Sequence, residues 1–176
     1  ITTMEDVDTF RNLVTDRATY ERVLEKIESG DDPQFIFDVT IQNHGGYTTG
    51  LVPRNERVHL DSDLVESAEV DEFLAAIKRS DEDLCWLVEA LNASAEPTIL
   101  VFFGDHQPGF ADDLFEATFD ISVDEATAKQ TQARYHTPFF IWANEAARET
   151  YSLSPVDEDA TQMTTSLNYL GALLLE

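Results

Sequence analysis

The chain has 176 residues, enough for one α/β domain with a proper core and too few for two comfortable ones. Asp and Glu number 35 against 11 Lys and Arg, a formal net charge of −24 that repels nucleic acid and anionic membrane surfaces and excludes phosphate-backbone binding as a function. Apolar residues make up 43%, in long runs that disordered acidic sequences lack, so the acidity reads as the heavily solvated surface of a folded domain.

Val7, Phe10 and Leu13/Val14 recur at helical spacing. Thr15 or Asp16 then caps a second segment carrying Tyr20, Val23, Leu24 and Ile27, and Gly30-Asp31-Asp32-Pro33 ends it. Residues 35–41, Phe-Ile-Phe-Asp-Val-Thr-Ile, are β-branched and aromatic without helical period; such continuous apolarity predicts a strand covered on both faces. From Thr48 to about Ser62, with Pro53 and mixed charges, the chain reads as loop. A long helix is expected from about Glu66 to Leu91 on the stripe Val70, Phe73/Leu74, Ile77, Leu84, Leu87/Val88 and Leu91. Asp81 interrupts that stripe, either where the helix is exposed or as a hydrogen-bonded anchor for a neighbouring loop.

Thr98–Phe103 forms the next expected strand, residues 111–134 an acidic excursion with one or two short helices, and Pro138–Asn144 a third strand. Beyond the loop around Pro155, a helix from about Thr161 holds Leu167, Leu170, Leu173 and Leu174. Strands separated by helices predict an α/β fold with a largely parallel sheet covered by helices on both faces. The lone Cys85 excludes an internal disulfide and, within a helical pattern, is expected to be buried and inert. No run has the length of a membrane span and no leader opens the sequence; Ile1 and the apolar Leu173-Leu174-Leu175-Glu176 read as boundaries within a longer polypeptide.

Ligands of open α/β sheets gather at the carboxyl ends of strands. Two expected strands end there in Gly-rich turns, Asn43-His44-Gly45-Gly46 and Gly104-Asp105-His106, which hold two of the four histidines. Asp105 and His106 offer a carboxylate and an imidazole to one cation, a donor set that suits Mn²⁺ or Zn²⁺; two ligands are too few for a closed site, and by themselves the three residues read more readily as an ordinary loop with a hydrogen-bonded His. His44 either meets an anionic or hydroxyl-bearing substrate, acts as a general acid, or packs on Tyr47 as a loop residue. His59 sits in the least acidic patch of the chain, as a solvated loop residue or an anion contact, and His136 reads as structural.

Together these segments resemble lipoteichoic-acid-synthase-like phosphoglycerol transferases of the sulfatase and alkaline-phosphatase superfamily. The resemblance is carried by Phe35–Tyr47 with its Asn43-His44-Gly45-Gly46 turn, by Pro97–Pro108 with Gly104-Asp105-His106, by Tyr135–Asn144, and by Ser80-Asp81. It implies an alkaline-phosphatase/sulfatase-like fold of which residues 1–176 are a single partial domain, the C-terminal portion of the catalytic domain, truncated at both ends. It implies one divalent cation, usually Mn²⁺ with Zn²⁺, Mg²⁺ or Ca²⁺ as alternatives, held partly by Asp105 and His106, and a substrate contact from His44. The nucleophilic Thr and an acidic metal ligand of the family lie upstream of the matching segments, so the chain alone is expected to be inactive. The implied partners are a phosphoglycerol-bearing lipid or glycan and the missing N-terminal part of the domain, in a membrane-anchored protein with an extracellular catalytic face. A phosphate- or sulfate-ester hydrolase of the same superfamily, or a non-catalytic binding module on the same fold, are the alternatives.

Overall fold

The computed structural model describes residues 7–30, 32–59, 67–154 and 163–175. They fall into two compact units, Ile1–Leu91 with Asp105–Thr137, and Asn92–Gly104 with Pro138–Glu176.

The first unit opens on a hairpin, not the helix that the spacing of Phe10 and Leu13 predicts. Thr9–Phe10 (β1) and Leu13–Val14 (β2) pair antiparallel, with Thr9 opposite Val14. The cause lies between them. Arg11 and Asn12 both take positive φ, 54° and 65°, the signature of the primed two-residue turns whose twist matches that of paired strands. Asn visits that region readily, but Arg does so at a cost and must be held there by contacts elsewhere. Helix α1 (Asp16–Ser29) follows as expected: the Thr15 hydroxyl accepts from the Ala18 amide at 3.2 Å, Ala18 and Tyr20 are buried, and Gly30 ends it.

Helix α2 (Ala68–Ala93) is the spine of this unit. Ala75 and Ala76 are small enough to let Phe10 and Val52 close against the helix in one apolar cluster. One helical turn away, Val70 joins Tyr47 and Phe110 in a second cluster, flanked by Phe73, Leu74 and Leu114. Two features of α2 differ from the sequence expectation. Cys85 is exposed, because it falls outside the buried stripe that Leu87 and Leu91 continue. Asp81 is exposed and, among the described residues, has no side-chain partner, so it anchors no loop; its neighbours Ser80 and Asp83 point inward instead. The expected start at Glu66 lies outside the described residues. The acidic excursion contains α3 (Ala111–Phe119), a 3₁₀ turn at Val123–Glu125 and α4 (Ala128–Ala133), the last opened by a capping box between Thr127 and Gln130.

In the second unit β3 (Ile99–Phe103) pairs with β4 (Phe139–Ala143). The pairing is antiparallel rather than parallel, with Val101 opposite Ile141 and the rings of Phe102 and Phe140 stacked at 5.3 Å. Asn144 ends β4 and caps α5 (Glu145–Tyr151): its Oδ1 accepts from the Ala147 and Thr98 amides, and its Nδ2 donates to the Glu96 carbonyl at 2.8 Å. A 3₁₀ turn at Leu167–Tyr169 leads into α6 (Leu170–Leu175); the loop around Pro155 and a start at Thr161 fall outside the described residues.

The segment with the clearest strand composition is the one without a sheet. Residues 33–41 take no regular secondary structure, no described strand pairs with them, and Phe35, Phe37 and Val39 are 87%, 65% and 71% exposed. Strand propensity expresses packing on neighbours more than a backbone preference, and the described residues supply no neighbour here. No helix among them is long and apolar enough to cross a membrane. Because both rings are largely exposed among the described residues, Phe35→Ser with Phe37→Ser should change the unfolding free energy by no more than about 0.5 kcal/mol, while lowering binding of an apolar fluorescent dye. A loss of about 3 kcal/mol, the scale of a truncated core aromatic, in urea titration would mean the segment is packed in solution.

Candidate functional site

The His44 turn is built by contacts from three directions. Its own backbone closes it: the His44 amide donates to the Ile41 carbonyl at 2.9 Å, Gly46 takes φ +92°, and the Tyr47 hydroxyl donates back to the Asn43 carbonyl at 2.7 Å. Only a residue without Cβ adopts that φ freely. The second contact is the Arg11 guanidinium. It donates to the Gly46 carbonyl at 2.6 Å, to those of His44 and Gln42 at 3.4 and 3.5 Å, and to Glu72 Oε1 on α2 at 2.7 Å. The Tyr47 ring covers the guanidinium at 4.9 Å. These bonds hold Arg11 in its left-handed conformation and are the reason a β-hairpin stands where a helix was expected.

Glu72 is as fully engaged as its partner, accepting also from the Thr49 hydroxyl at 2.6 Å and the Gly50 amide at 3.1 Å. Burial alone would push its carboxyl up, but the bonds from Thr49, Arg11 and Gly50 hold it below the usual carboxylate range. Its contribution to stability is therefore present above the unfolded carboxylate pKa and lost as pH falls through the folded value.

From the other side, Asn43 Nδ2 and Gln42 Nε2 donate to the Ser80 hydroxyl at 2.8 and 3.0 Å, and that hydroxyl donates to Asp16 Oδ2. Asp16 is 3% exposed and its Oδ1 has no partner among the described residues. Burial raises its pKa, opposed by the Ser80 bond and reinforced by Asp83 and Asp38. None of Arg11, Glu72, Asp16 and Ser80's role in this network stands out in the sequence. A buried Glu on an acidic helix looks like any solvated one, and only the pair Ser80-Asp81 carried a signal, through the family pattern.

The His44 imidazole itself is exposed and, among the described residues, has no hydrogen-bond partner. It does not pack into the core as Tyr47 does.

The second turn follows β3. Asp105 Oδ1 accepts from the His106 amide at 2.9 Å, and His106 Nδ1 lies 2.8 Å from the Gln107 carbonyl. A carbonyl only accepts, so Nδ1 carries a proton, and Nε2 is the ring nitrogen left to ligate. That nitrogen stands 3.4 Å from Asp105 Oδ2, with both side chains exposed. Ligands bound at about 2.0–2.2 Å to a tetrahedral cation are about 3.3–3.6 Å apart, so the two atoms fit two vertices of one coordination shell. No group of three or more His, Cys, Asp or Glu able to hold a metal exists among the described residues, so the fit extends to two ligands only.

An aromatic triangle links Tyr47, next to the first turn, with Phe110, four residues beyond His106. Tyr47 closes the first, Phe110 follows the second, and their rings meet each other and Phe73 of α2 edge-on, all three centroid distances being 5.4 Å. Burial raises the Tyr47 pKa, Arg11 opposes it, and the charge of Asp105 adds to it, which places Asp105 within electrostatic reach of Tyr47. His59 lies apart on Asp71 at 2.5 Å, and His136 contributes its carbonyl to Gln107 Nε2, a structural role.

Arg11→Met should cost about 3–5 kcal/mol, since it strands Glu72 as a buried charge; a urea midpoint shift at unchanged slope measures this, and a cost below about 1 kcal/mol would mean that the ion pair is solvated. Asp16→Asn should raise the melting temperature near neutral pH. The group's folded pKa is raised, so its carboxyl favours the fold only at low pH and loses that contribution as pH rises. The advantage of Asn should accordingly vanish at about pH 4 and below.

Comparison with known proteins matches the chain to the Sulfatase family over residues 1–174. It is 26% identical over 136 residues to a Rhizobium meliloti (strain 1021) protein named "Putative cyclic beta-1,2-glucan modification protein", covering 74% of this chain and 21% of that one. A second protein of the same strain, "Capsular polysaccharide biosynthesis protein RkpI", is 28% identical over 130 residues, 71% of this chain and 22% of its own length. The chain thus spans about a fifth of the length of these relatives, and no solved structure gives a significant match. The chain belongs to the Sulfatase family, whose members share an alkaline-phosphatase-like α/β fold and are generally hydrolases or transferases.

Proposed function

We propose that residues 1–176 are the C-terminal part of the catalytic domain of a metal-dependent phosphoglycerol transferase that modifies a cell-envelope glycan or lipid. The observation that carries this reading is the Asp105-His106 pair. Its imidazole is fixed by the Gln107 carbonyl so that Nε2 and Asp105 Oδ2 lie 3.4 Å apart and open to solvent. The names of the two relatives, one for glucan modification and one for capsular polysaccharide biosynthesis, support an envelope glycan as the acceptor class.

In this reading Asp105 and His106 supply part of the ligand set, and Gln107 keeps the His106 tautomer correct for it. A divalent cation, Mn²⁺ by preference, would neutralise phosphoryl oxygens and lower the pKa of a nucleophile when bound. His44, exposed and without a hydrogen-bond partner among the described residues, is left to meet the phosphoryl or glycerol group of the substrate. The Arg11 clamp fixes the backbone that presents it, so binding has only the imidazole's own rotamers left to order. The nucleophile and the remaining metal ligands belong to segments outside these 176 residues. Alone, the chain should bind metal weakly and turn nothing over. Membrane anchorage with an extracellular catalytic face is part of the same proposal for the intact protein.

Mn²⁺ should raise the melting temperature of the wild-type chain in a concentration-dependent way, and Asp105→Ala with His106→Ala should abolish that response. The measurement belongs at about 0.3 M salt, where diffuse attraction of cations to an acidic surface is screened. Equal responses from wild type and the double variant would reject the site.

A further inference from the structure

Apart from the two turns, the larger unit contains a cavity of about 320 Å³ lined in part by Tyr47, Val52, Arg57, His59, Asp71 and Glu72. Its charged groups are unequally committed. Glu72 is saturated by Arg11, Thr49 and Gly50, so it offers the cavity no uncompensated charge. His59 Nδ1 lies 2.5 Å from Asp71 Oδ2. A carboxylate only accepts, so Nδ1 carries the proton there and the imidazole is oriented with Nε2 turned away from Asp71.

Arg57 differs from its charged neighbours. It donates from Nε to the Val52 carbonyl at 3.4 Å, and among the described residues neither terminal nitrogen has a partner. In a chain with 35 acidic and 11 basic side chains, carboxylates are in large excess, and Arg11, Arg17, Arg22, Lys78, Arg79 and Arg134 each sit on one. Among the described residues Arg57 has no such partner, nor do Lys26, Arg54, Lys129 and Arg148, but of these five only Arg57 lines this cavity, beside two acidic residues that are already occupied. A guanidinium tethered by Nε presents its two terminal nitrogens as a planar fork, the geometry that matches two oxygens of a phosphate or carboxylate. Arg57 and His59 are both exposed, so a ligand in the cavity reaches them directly from solvent, with Tyr47 and Val52 as its apolar wall.

We infer that this cavity is an anion-binding site, in which Arg57 holds a phosphate or carboxylate group and His59, oriented by Asp71, contacts the same ligand from the rim. The inference does not rest on the Asp105-His106 reading, because no residue is shared between the two ligand sets. The ligand chemistry has two sources, a phosphorylated substituent or a uronic-acid carboxylate, and both occur as small soluble probes.

Inorganic phosphate and, in a separate arm, glucuronate are titrated into the 176-residue chain at constant chloride. The Arg57 side-chain N–H and the His59 ring signals are followed by NMR. At least one anion should shift both sets of signals saturably, and the arm that does so identifies the source. Arg57→Gln should weaken that binding about tenfold or more, and Arg57→Lys, which keeps the charge and loses the fork, should fall between. His44→Gln should leave the affinity unchanged, which separates this site from the proposed substrate contact. Unaltered affinity in Arg57→Gln, shifts confined to His44 and His106, or no saturable shift with either anion would each overturn the inference.

Discussion

A single buried guanidinium organises the larger unit. Arg11 lies at a hairpin turn in a conformation that Arg adopts at a cost, and it is kept there by a carboxylate from α2 and three carbonyls of the loop around His44. Each partner needs the other. The loop has few backbone bonds of its own and would leave its carbonyls unpaired in a half-buried place; Glu72 would be a buried charge; Arg11 would have no reason to turn left-handed. The same residue therefore decides the hairpin, the docking of the hairpin on α2 and the path of the His44 loop.

A buried ion pair is a poor source of net stability, since desolvating both partners offsets most of their attraction. What it supplies is a unique arrangement. Replacing the pair with apolar residues could keep the packing of Phe10 on Ala75 and Ala76, yet it would release the carbonyls that shape the turn. The Ser80 hydroxyl plays a similar part from the opposite side, joining Asn43 and Gln42 to Asp16. Between these two anchors the Asn43–Tyr47 backbone is fixed while the His44 side chain is left open to solvent. A fixed backbone beneath an imidazole that has no partner among the described residues is the arrangement expected of a ligand contact, and the Tyr47–Phe73–Phe110 triangle holds Tyr47 in place beside it.

The charge of the chain acquires a local meaning here. Most carboxylates are solvated, as a net charge of −24 requires, but a few are drawn inside and compensated one by one: Glu72 by Arg11, Asp83 by the Arg17 amide, Asp16 by the Ser80 hydroxyl. Burial nevertheless raises the pKa of Asp16 and Asp83, so compensation there is incomplete. Those two residues mark the place where the fold is least at ease with its own acidity.

Much of this was legible in the linear chain. Helix α1 with its Thr15 cap, the long α2, the strands at Ile99–Phe103 and Phe139–Ala143, and the two His-bearing turns all follow from short-range rules: periodicity, capping, and the placement of glycine after an apolar run. These depend on neighbours three or four residues away, which a sequence displays. The hairpin at Arg11-Asn12, the burial of Glu72, the exposure of Cys85 and Asp81, and the unpaired state of residues 33–41 did not follow. The first two are settled by the partnership of Arg11 and Glu72 across 61 positions, the exposure of Cys85 and Asp81 by which side of α2 is covered, and the last by the lack of a pairing strand among the described residues. Local sequence determined which segments could be helix, strand or turn, because backbone preference acts over a few residues; tertiary structure alone decided which charges are inside and which apolar strand stands uncovered, because burial is a property of the partner as much as of the residue.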